Sequence, residues 1–327
     1  MLDDHRTDTI TPVGRSFHAT DWTIPQLVSA KRERNQRVSV VIPARNEEAT
    51  VGRVVATLRV ATMEATGLVD ELIVVDGDSD DDTAAVAAAA GAEVLHQGEI
   101  LGDAGTAPGK GEALWKGLAA STGDLVVFVD ADIHDIDERF VTGLVGPLLH
   151  DAGIGFVKAA YDRPFQTTAG IEPSGGGRVT ELMARPLLAT FWPDLAWLAQ
   201  PLSGEYAGRR DVLEAVPFVQ GWGVELALLI DIADRFGPSV IAQVDLGRRV
   251  HDHQGLEALG RMATEILQVA VDRLADEDRL VLTDPVGEFL HQPMRAHDGT
   301  LGHRTSPIAH RERPPLADWL RRRADER

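Results

Sequence analysis

Leu125-Val126-Val127-Phe128-Val129-Asp130-Ala131-Asp132-Ile133-His134 holds five consecutive apolar residues followed at once by two carboxylates. Such a run, mostly β-branched or aromatic, reads as a fully buried strand. Alternate side chains share a face on an extended backbone, so Asp130 and Asp132 are expected to point the same way beyond the strand's carboxyl end. In open α/β sheets that edge is where ligands sit. Two carboxylates aimed at one point repel unless a hard cation lies between or beside them, which makes the pair a candidate metal site. The bland alternative is a solvated turn, since Asp is common where strands stop.

Upstream, the same pattern recurs. Val38 to Pro43 is a first strand, ending in Ala44-Arg45-Asn46-Glu47-Glu48, and Val51, Val54, Val55 and Leu58 mark one face of a helix. Leu72 to Asp76 is a second strand, followed by an acidic loop and an alanine-rich helix, and Ala92 to Leu95 is a third. Strands alternating with helices indicate an α/β fold with a mostly parallel, doubly wound central sheet flanked by helices. After about residue 150 the pattern changes. Ile154 to Tyr161 reads as a strand running against the others. Helices are expected from Val179 to Leu188, over 224–236 and over about 256–275, with a strand from Val240 to Leu246. The expected division is an extension over 1–36 with an outlying amphipathic helix (Trp22 to Lys31), a nucleotide-sugar-binding half over 37–153, an acceptor-binding half over 154–294, and an irregular tail over 295–327.

The bulk numbers narrow the function. The chain has 327 residues, 44% apolar and 25% charged, with 32 basic against 51 acidic residues and a net charge of −19. That balance argues against a nucleic-acid or anionic-membrane surface, and an anionic substrate would need a local cationic cluster. The absence of cysteine excludes disulfides, thiolate metal sites and cysteine nucleophiles. No signal peptide is evident and no apolar run approaches the ~20 residues that span a bilayer, so the expected location is cytoplasmic.

Several groups can carry chemistry. The loops Pro43 to Glu48 and Asp76 to Asp80 leave strands on the same edge as Asp130 and precede helix starts with free backbone N–H groups. Taken singly, Asn46 and Asp78 read as helix caps. Three such loops on one edge point to a nucleotide site. Pro108-Gly109-Lys110-Gly111-Glu112 lacks P-loop spacing. Its lysine between glycines suits a diphosphate or base, or is simply solvated. Gly175-Gly176-Gly177-Arg178-Val179-Thr180 leads into a helix and offers N–H donors, a guanidinium and a hydroxyl to an anion. His251 and His253 could share a face and ligate an ion, although by spacing alone they read as surface histidines. Glu225 opens an apolar helix as a capping acid or as a carboxylate facing a sugar, with Trp222 as an apolar wall.

Together these residues resemble a GT-A glycosyltransferase, in which a D-x-D aspartate holds a divalent ion against a nucleotide-sugar diphosphate. VIPARNEE, VVDGDSDDDT, PGKGEAL, VFVDADI, GGGRVTEL, QPLSGEYA, GWGVELALLIDIADRFG and QVDLGRRVH resemble the ordered motifs of the actinobacterial glucosyl-3-phosphoglycerate synthases and their mannosyl-transferring relatives. They span about residues 38 to 253. The resemblance implies a retaining transfer of glucose or mannose from a UDP- or GDP-linked donor to the 2-hydroxyl of 3-phosphoglycerate, with Mg²⁺ or Mn²⁺ as cofactor and a homodimer as the working form. By position it implies Asp132 and His251 as metal ligands, and Asp130 and Ala131 beside the metal and ribose. Pro43, Ala44, Arg45, Glu47, Asp76, Gly77 and Lys110 would line the nucleotide. Gly177, Arg178 and Thr180, with Arg249 and His253, would hold the acceptor. Leu202 and Glu225 would face the donor sugar.

Three positions depart from the glucosyl pattern, which would have leucine at Arg45, serine at Gly77 and asparagine at His253. A glycine beside the base makes room, which widens the donor expectation to both uridine and guanosine. For the mechanism, Asp132, Lys110 and Glu225 are the catalytic candidates. Attack from the leaving-group side is favoured, a diphosphate oxygen taking the acceptor's proton, because a double displacement needs a carboxylate at the anomeric carbon and nothing in the sequence places Glu225, the only candidate, there. The competing readings are an inverting transferase acting on a lipid phosphate, a sugar nucleotidyltransferase and a non-catalytic sugar-nucleotide sensor. The first would show a membrane helix or basic amphipathic segment, and the second a Gly-rich signature after the first strand.

Overall fold

Eight strands form one central sheet. In chain order they are β1 (Arg15–His18), β2 (Val38–Ala44), β3 (Glu71–Asp76), β4 (Glu93–His96), β5 (Leu125–Phe128), β6 (Phe156–Asp162), β7 (Tyr206–Arg209) and β8 (Ile241–Arg248). The structure is a computed structural model that describes residues 14–163, 165–167, 170–172, 177–249, 255–308 and 311–326. The spatial order is β1-β8-β6-β7-β5-β2-β3-β4. Every pairing in it is parallel except the two made by β7.

The period-2 alternation of the strands feeds two apolar layers. Val40, Ile42, Val74 and Val127 pack on one face, against Leu27 of helix α1 (Ile24–Glu33), Val54 and Leu58 of α2 (Val51–Leu58), Ala87 of α3 (Thr83–Ala89) and Phe140 of a helix over Arg139–His150. Val41, Ile73, Val126 and Phe128 pack on the other. They meet Leu114 and Trp115 of α4 (Lys110–Ala120), then helices over Val224–Phe236 and Leu256–Asp276. With both faces covered, the strands read as continuous apolar runs, which is why β2, β3 and β5 are visible in the sequence.

Three expectations are corrected. The strand at Ile154 to Tyr161 does not run against the rest of the sheet; β6 runs with β8 and in the same direction as β5, and the one antiparallel member is β7, inserted between β5 and β6. An apolar run specifies a strand but not its direction, and four-residue β7 with its glycine gives little run to see. The tail is not irregular. Phe289–Arg295 and Leu301–Pro307 form an antiparallel hairpin, and Leu316–Asp325 is a helix. The hairpin is mostly exposed, and in its first strand only Leu290 and Gln292 are half-buried, so it carries little hydrophobic alternation. Lastly, the amino-terminal stretch supplies β1, an edge strand parallel to β8.

The topology fixes where chemistry can gather. The carboxyl ends of β2, β3, β5, β6 and β8 share one edge. Antiparallel β7 brings its start to that edge, with Tyr206 opposite both Phe128 and Lys158.

Candidate active site

The D-x-D pair converges, though not on an extended strand. β5 stops at Phe128 and the chain turns through residues 131 and 132. The meeting point is marked by Arg249 Nη2, which lies 3.2 Å from Asp130 Oδ2, 2.9 Å from Asp132 Oδ1 and 3.1 Å from Glu205 Oε1. Arg249 Nη1 donates to the Tyr161 hydroxyl at 3.1 Å, and that hydroxyl donates to Glu205 Oε2 at 2.6 Å. Arg249, expected at the acceptor, is 2% exposed and committed to this carboxylate cluster. Gly204 is required here: a Cβ on it would fall 2.1 Å from Asp130 Oδ2.

Lys110 reaches the pair from the other side. Its ammonium lies 2.6 Å from Asp130 Oδ1 and 2.9 Å from Glu225 Oε1. The flanking glycines serve the protein's own backbone rather than a ligand. A Cβ on Gly109 would sit 2.1 Å from the Gln220 carbonyl oxygen, and one on Gly111 would sit 1.7 Å from that of Val219. Burial pulls the Lys110 ammonium down, but Asp130 and Glu225 outweigh it and hold its pKa well above the ordinary range. Burial likewise pushes Asp130 up, and Lys110 and Arg249 together bring it well below the usual carboxylate range. The repulsion expected between the two aspartates is thus met by two side-chain cations. Behind them lies Lys158, 1% exposed, donating to the Ser203 carbonyl at 2.5 Å and lying over the Tyr206 ring at 4.6 Å. Burial lowers its pKa to about 7.

Above this floor opens a cleft of about 620 Å³, lined by Pro43, Ala44, Arg45, Glu47, Gly77 and Gln97, among others, with Lys110 and Asp130 to Asp132 at its base. Its two polar loops are pinned to each other. Asn46 N donates to Ser79 Oγ at 3.0 Å, Asp80 N to Asn46 Oδ1 at 2.8 Å and Glu47 N to Thr83 Oγ1 at 2.7 Å. Asn46 and Asp78 are therefore not helix caps. Both adopt positive φ, 57° and 61°, and the caps are Thr50 and Asp82. Glu47 is pushed to about 7 by burial and then by the nearby Asp132 charge. Asp76, 3% exposed, accepts from Ser79 N and contacts His96 Nδ1 through one oxygen, while its Oδ1 and the Gln97 Oε1 are buried without partners. Such orphaned acceptors call for an N–H donor. At Gly77 a serine would fit, the nearest atom to its Cβ being 3.5 Å away. Trp222, its N–H held by Glu265 at 2.9 Å, forms part of the wall.

On the acceptor side, Gly177 has φ +76° and its carbonyl accepts from Glu181 N at 3.0 Å, which starts the helical turn carrying Arg178 and buried Thr180. A Cβ on Gly177 would lie 3.7 Å from both the Arg163 side chain and Gln200 Oε1. Arg163 and Gln200 each hold a buried polar atom without a partner and line a second recess, of about 680 Å³. Leu202 is half-buried against the second apolar layer. Gly175, Gly176, His251 and His253 lie outside the described residues.

Among the described residues no group of three or more His, Cys, Asp or Glu is arranged to hold a metal ion. The donor chemistry nevertheless fits a hard cation: Asp132 is 41% exposed at the cleft floor, and only one of its oxygens is engaged by Arg249. Mg²⁺ and Mn²⁺ sites of this kind are completed by substrate phosphates and water rather than by an all-protein cage.

Sequence reasoning missed Glu205, Tyr161, Arg163 and Lys158. Glu205 stood inside a quoted motif, and its signal was an acid amid apolar neighbours at the start of β7. The others are charged or polar residues in or just after an apolar strand, which burial explains only once the neighbouring strands are known.

The chain matches the glycosyl transferase family 2 model over residues 39–213. It is 48% identical to the glucosyl-3-phosphoglycerate synthase of Petrotoga mobilis over 269 residues, covering 82% of this chain and 83% of that one. The crystal structure of mannosyl-3-phosphoglycerate synthase from Rubrobacter xylanophilus superposes with a TM-score of 0.86 at 38% identity, covering 93% of this chain and 97% of that one. Glucosyl-3-phosphoglycerate synthase from Mycobacterium tuberculosis, in complex with Mn²⁺, UDP-glucose and phosphoglyceric acid, superposes with a TM-score of 0.81 at 42% identity, covering 95% and 100%. The same enzyme has also been solved with Mg²⁺ and UDP.

Proposed function

This chain belongs to glycosyl transferase family 2, among the glucosyl- and mannosyl-3-phosphoglycerate synthases, and on that basis we propose that it moves glucose or mannose from a UDP- or GDP-linked donor to the 2-hydroxyl of 3-phosphoglycerate with retention. The observation that carries the reading is the chain of ion pairs Glu225–Lys110–Asp130–Arg249–Asp132 beneath a nucleotide-sized cleft.

Residues 37–153 serve the donor and 154–294 the acceptor. Pro43, Ala44, Arg45, Glu47, Asp76, Gly77, Asp130 and Ala131 contact the nucleotide, and Leu202 faces the sugar. Asp132 and His251 hold Mg²⁺ or Mn²⁺, which when bound supplies Lewis-acid stabilisation of the departing diphosphate. Lys110 adds a fixed positive charge where the leaving group's negative charge grows. Its ion pair with Glu225 makes that carboxylate a holder of Lys110 and of sugar hydroxyls rather than a free nucleophile, in keeping with attack from the leaving-group side. Arg178, Thr180 and the Gly177 backbone bind the acceptor's anionic groups, joined by Arg163 and His253. Arg249 acts on the carboxylates, lowering Asp130 so that it stays ionised.

Among the described residues no helix is long and apolar enough to cross a membrane. The working form is a cytoplasmic homodimer, and exposed Phe289, Met294 and Leu301 on the hairpin offer apolar surface for the contact; sedimentation velocity checks it. The direct test of the reaction crosses UDP- and GDP-linked glucose and mannose with 3-phosphoglycerate and follows nucleotide release with and without Mg²⁺. Release that needs both acceptor and metal supports the proposal. Release indifferent to the acceptor, or none with any donor, overturns it.

A further inference from the structure

In a chain of net charge −19, a nucleoside diphosphate must be met by local cations. Three arginines line the cleft, and among the described residues Arg45 and Arg311 are the two without a side-chain partner, whereas Arg261 and the arginines packed nearby are spent elsewhere. Arg313 clamps Glu112, which is fully buried, at 2.6 and 2.7 Å; Arg273 holds Asp231 and Glu312; Arg261 pairs with Glu265.

Arg311 differs. It lines the cleft, it is exposed, and among the described residues its guanidinium makes no hydrogen bond or ion pair. Its backbone is nevertheless held in place. The Arg311 carbonyl accepts from Gln220 N at 2.9 Å, and the next two residues pair antiparallel with Phe218 and Val219. The Gln220 carbonyl accepts in turn from Gly111 N at 3.0 Å, one residue after Lys110. Two backbone hydrogen bonds therefore connect Arg311 to the start of the helix that carries the site lysine. With its backbone pinned, Arg311 has only side-chain freedom to lose when it binds, and its planar fork suits phosphate oxygens.

We infer that Arg311, on the carboxyl-terminal strap, is a donor-binding residue that contacts the nucleoside diphosphate. The inference rests on the donor reading above and extends the site to a segment about sixty residues beyond the last of the sequence motifs. The test is calorimetric titration of UDP and of GDP, with Mg²⁺, into wild type, Arg311→Ala and Arg311→Lys, alongside melting temperatures and KM for 3-phosphoglycerate. Arg311→Ala is expected to bind the accepted nucleotide roughly tenfold more weakly, a typical loss for one charge-assisted contact. Arg311→Lys should recover part of the affinity, with melting temperature and acceptor KM unchanged. Wild-type affinity in Arg311→Ala would overturn the inference, as would weakening that tracks a fallen melting temperature in both variants. Wild type binding neither nucleotide would overturn the donor reading itself, and this inference with it.

Discussion

The loop side and the floor side of the cleft are built from the same sheet edge by different means. On the loop side, β2 and β3 are parallel neighbours, and each delivers its residues to the cleft in the loop that directly follows it. The loops are cross-pinned by side-chain to backbone bonds such as Asp80 N to Asn46 Oδ1. On the floor side, antiparallel β7 breaks the succession, and residues before it are joined by others from distant strands. Gly204 and Glu205 precede β7, whereas Arg249 follows β8 and Tyr161 belongs to β6. Each loop is thus local to its own strand, while the floor is a knot of buried charges from three separate segments. Local loops tolerate change at one residue; a shared buried network does not.

The largest expected effect lies where the two sides meet. Lys110→Met removes the cation between Asp130 and Glu225 and should lower kcat by about 10²- to 10³-fold, the range for one preorganised electrostatic group. Steady-state kinetics on a variant with wild-type circular dichroism measures it. A loss below tenfold would detach Lys110 from the chemistry.

Next comes Gly204→Ala, aimed at the floor-side knot. The new methyl meets the Asp130 carboxylate, so activity should fall by about 10²-fold through misplacement of that group. Gly77→Ala, on the loop side, meets nothing closer than 3.5 Å and should leave kcat nearly unchanged. Similar losses for both would erase the contrast.

Lys158 gives a pH test. Its folded pKa, about 7, lies below its ordinary 10.5. The unfolded chain therefore binds more protons between those values, and this group's contribution to stability rises with pH across the window. Melting temperature should climb more steeply from pH 7 to 9 in wild type than in Lys158→Met. Glu47 has the opposite sign and a smaller, partly solvent-screened effect. Its folded pKa, raised from 4.5 to about 7, makes its contribution fall as pH rises through that interval. Glu47→Gln should gain melting temperature relative to wild type at pH 8 and not at pH 4.5.

The same contrast explains what could be read from sequence. The parallel strands announce themselves because both faces are buried, and Asp130, Asp132, Asp76 and Lys110 sit immediately beyond them or at a helix start. The direction of β6 was not legible, because hydrophobic periodicity carries no polarity of the chain. The resemblance put Arg249 at the acceptor, and its spacing showed only a charge beside two histidines; that it is buried against the aspartates depends on Glu205 and Tyr161, which are remote in sequence. Lys158 stands inside an apolar strand, and its burial depends on β7 and β8, the strands that flank β6, which are remote in sequence. The tail's part in the cleft was hidden because Arg311 reaches it through backbone pairing with Phe218 to Gln220, a contact without a compositional trace.

The account turns on Asp132 and a donor diphosphate sharing one divalent cation at the cleft floor. Titrating Mn²⁺ by electron paramagnetic resonance, with and without nucleoside diphosphate, into wild type and Asp132→Ala tests it. The expected result is tight Mn²⁺ binding that needs the nucleotide in wild type and is lost in the variant. Equally tight, nucleotide-dependent Mn²⁺ binding by Asp132→Ala would contradict it.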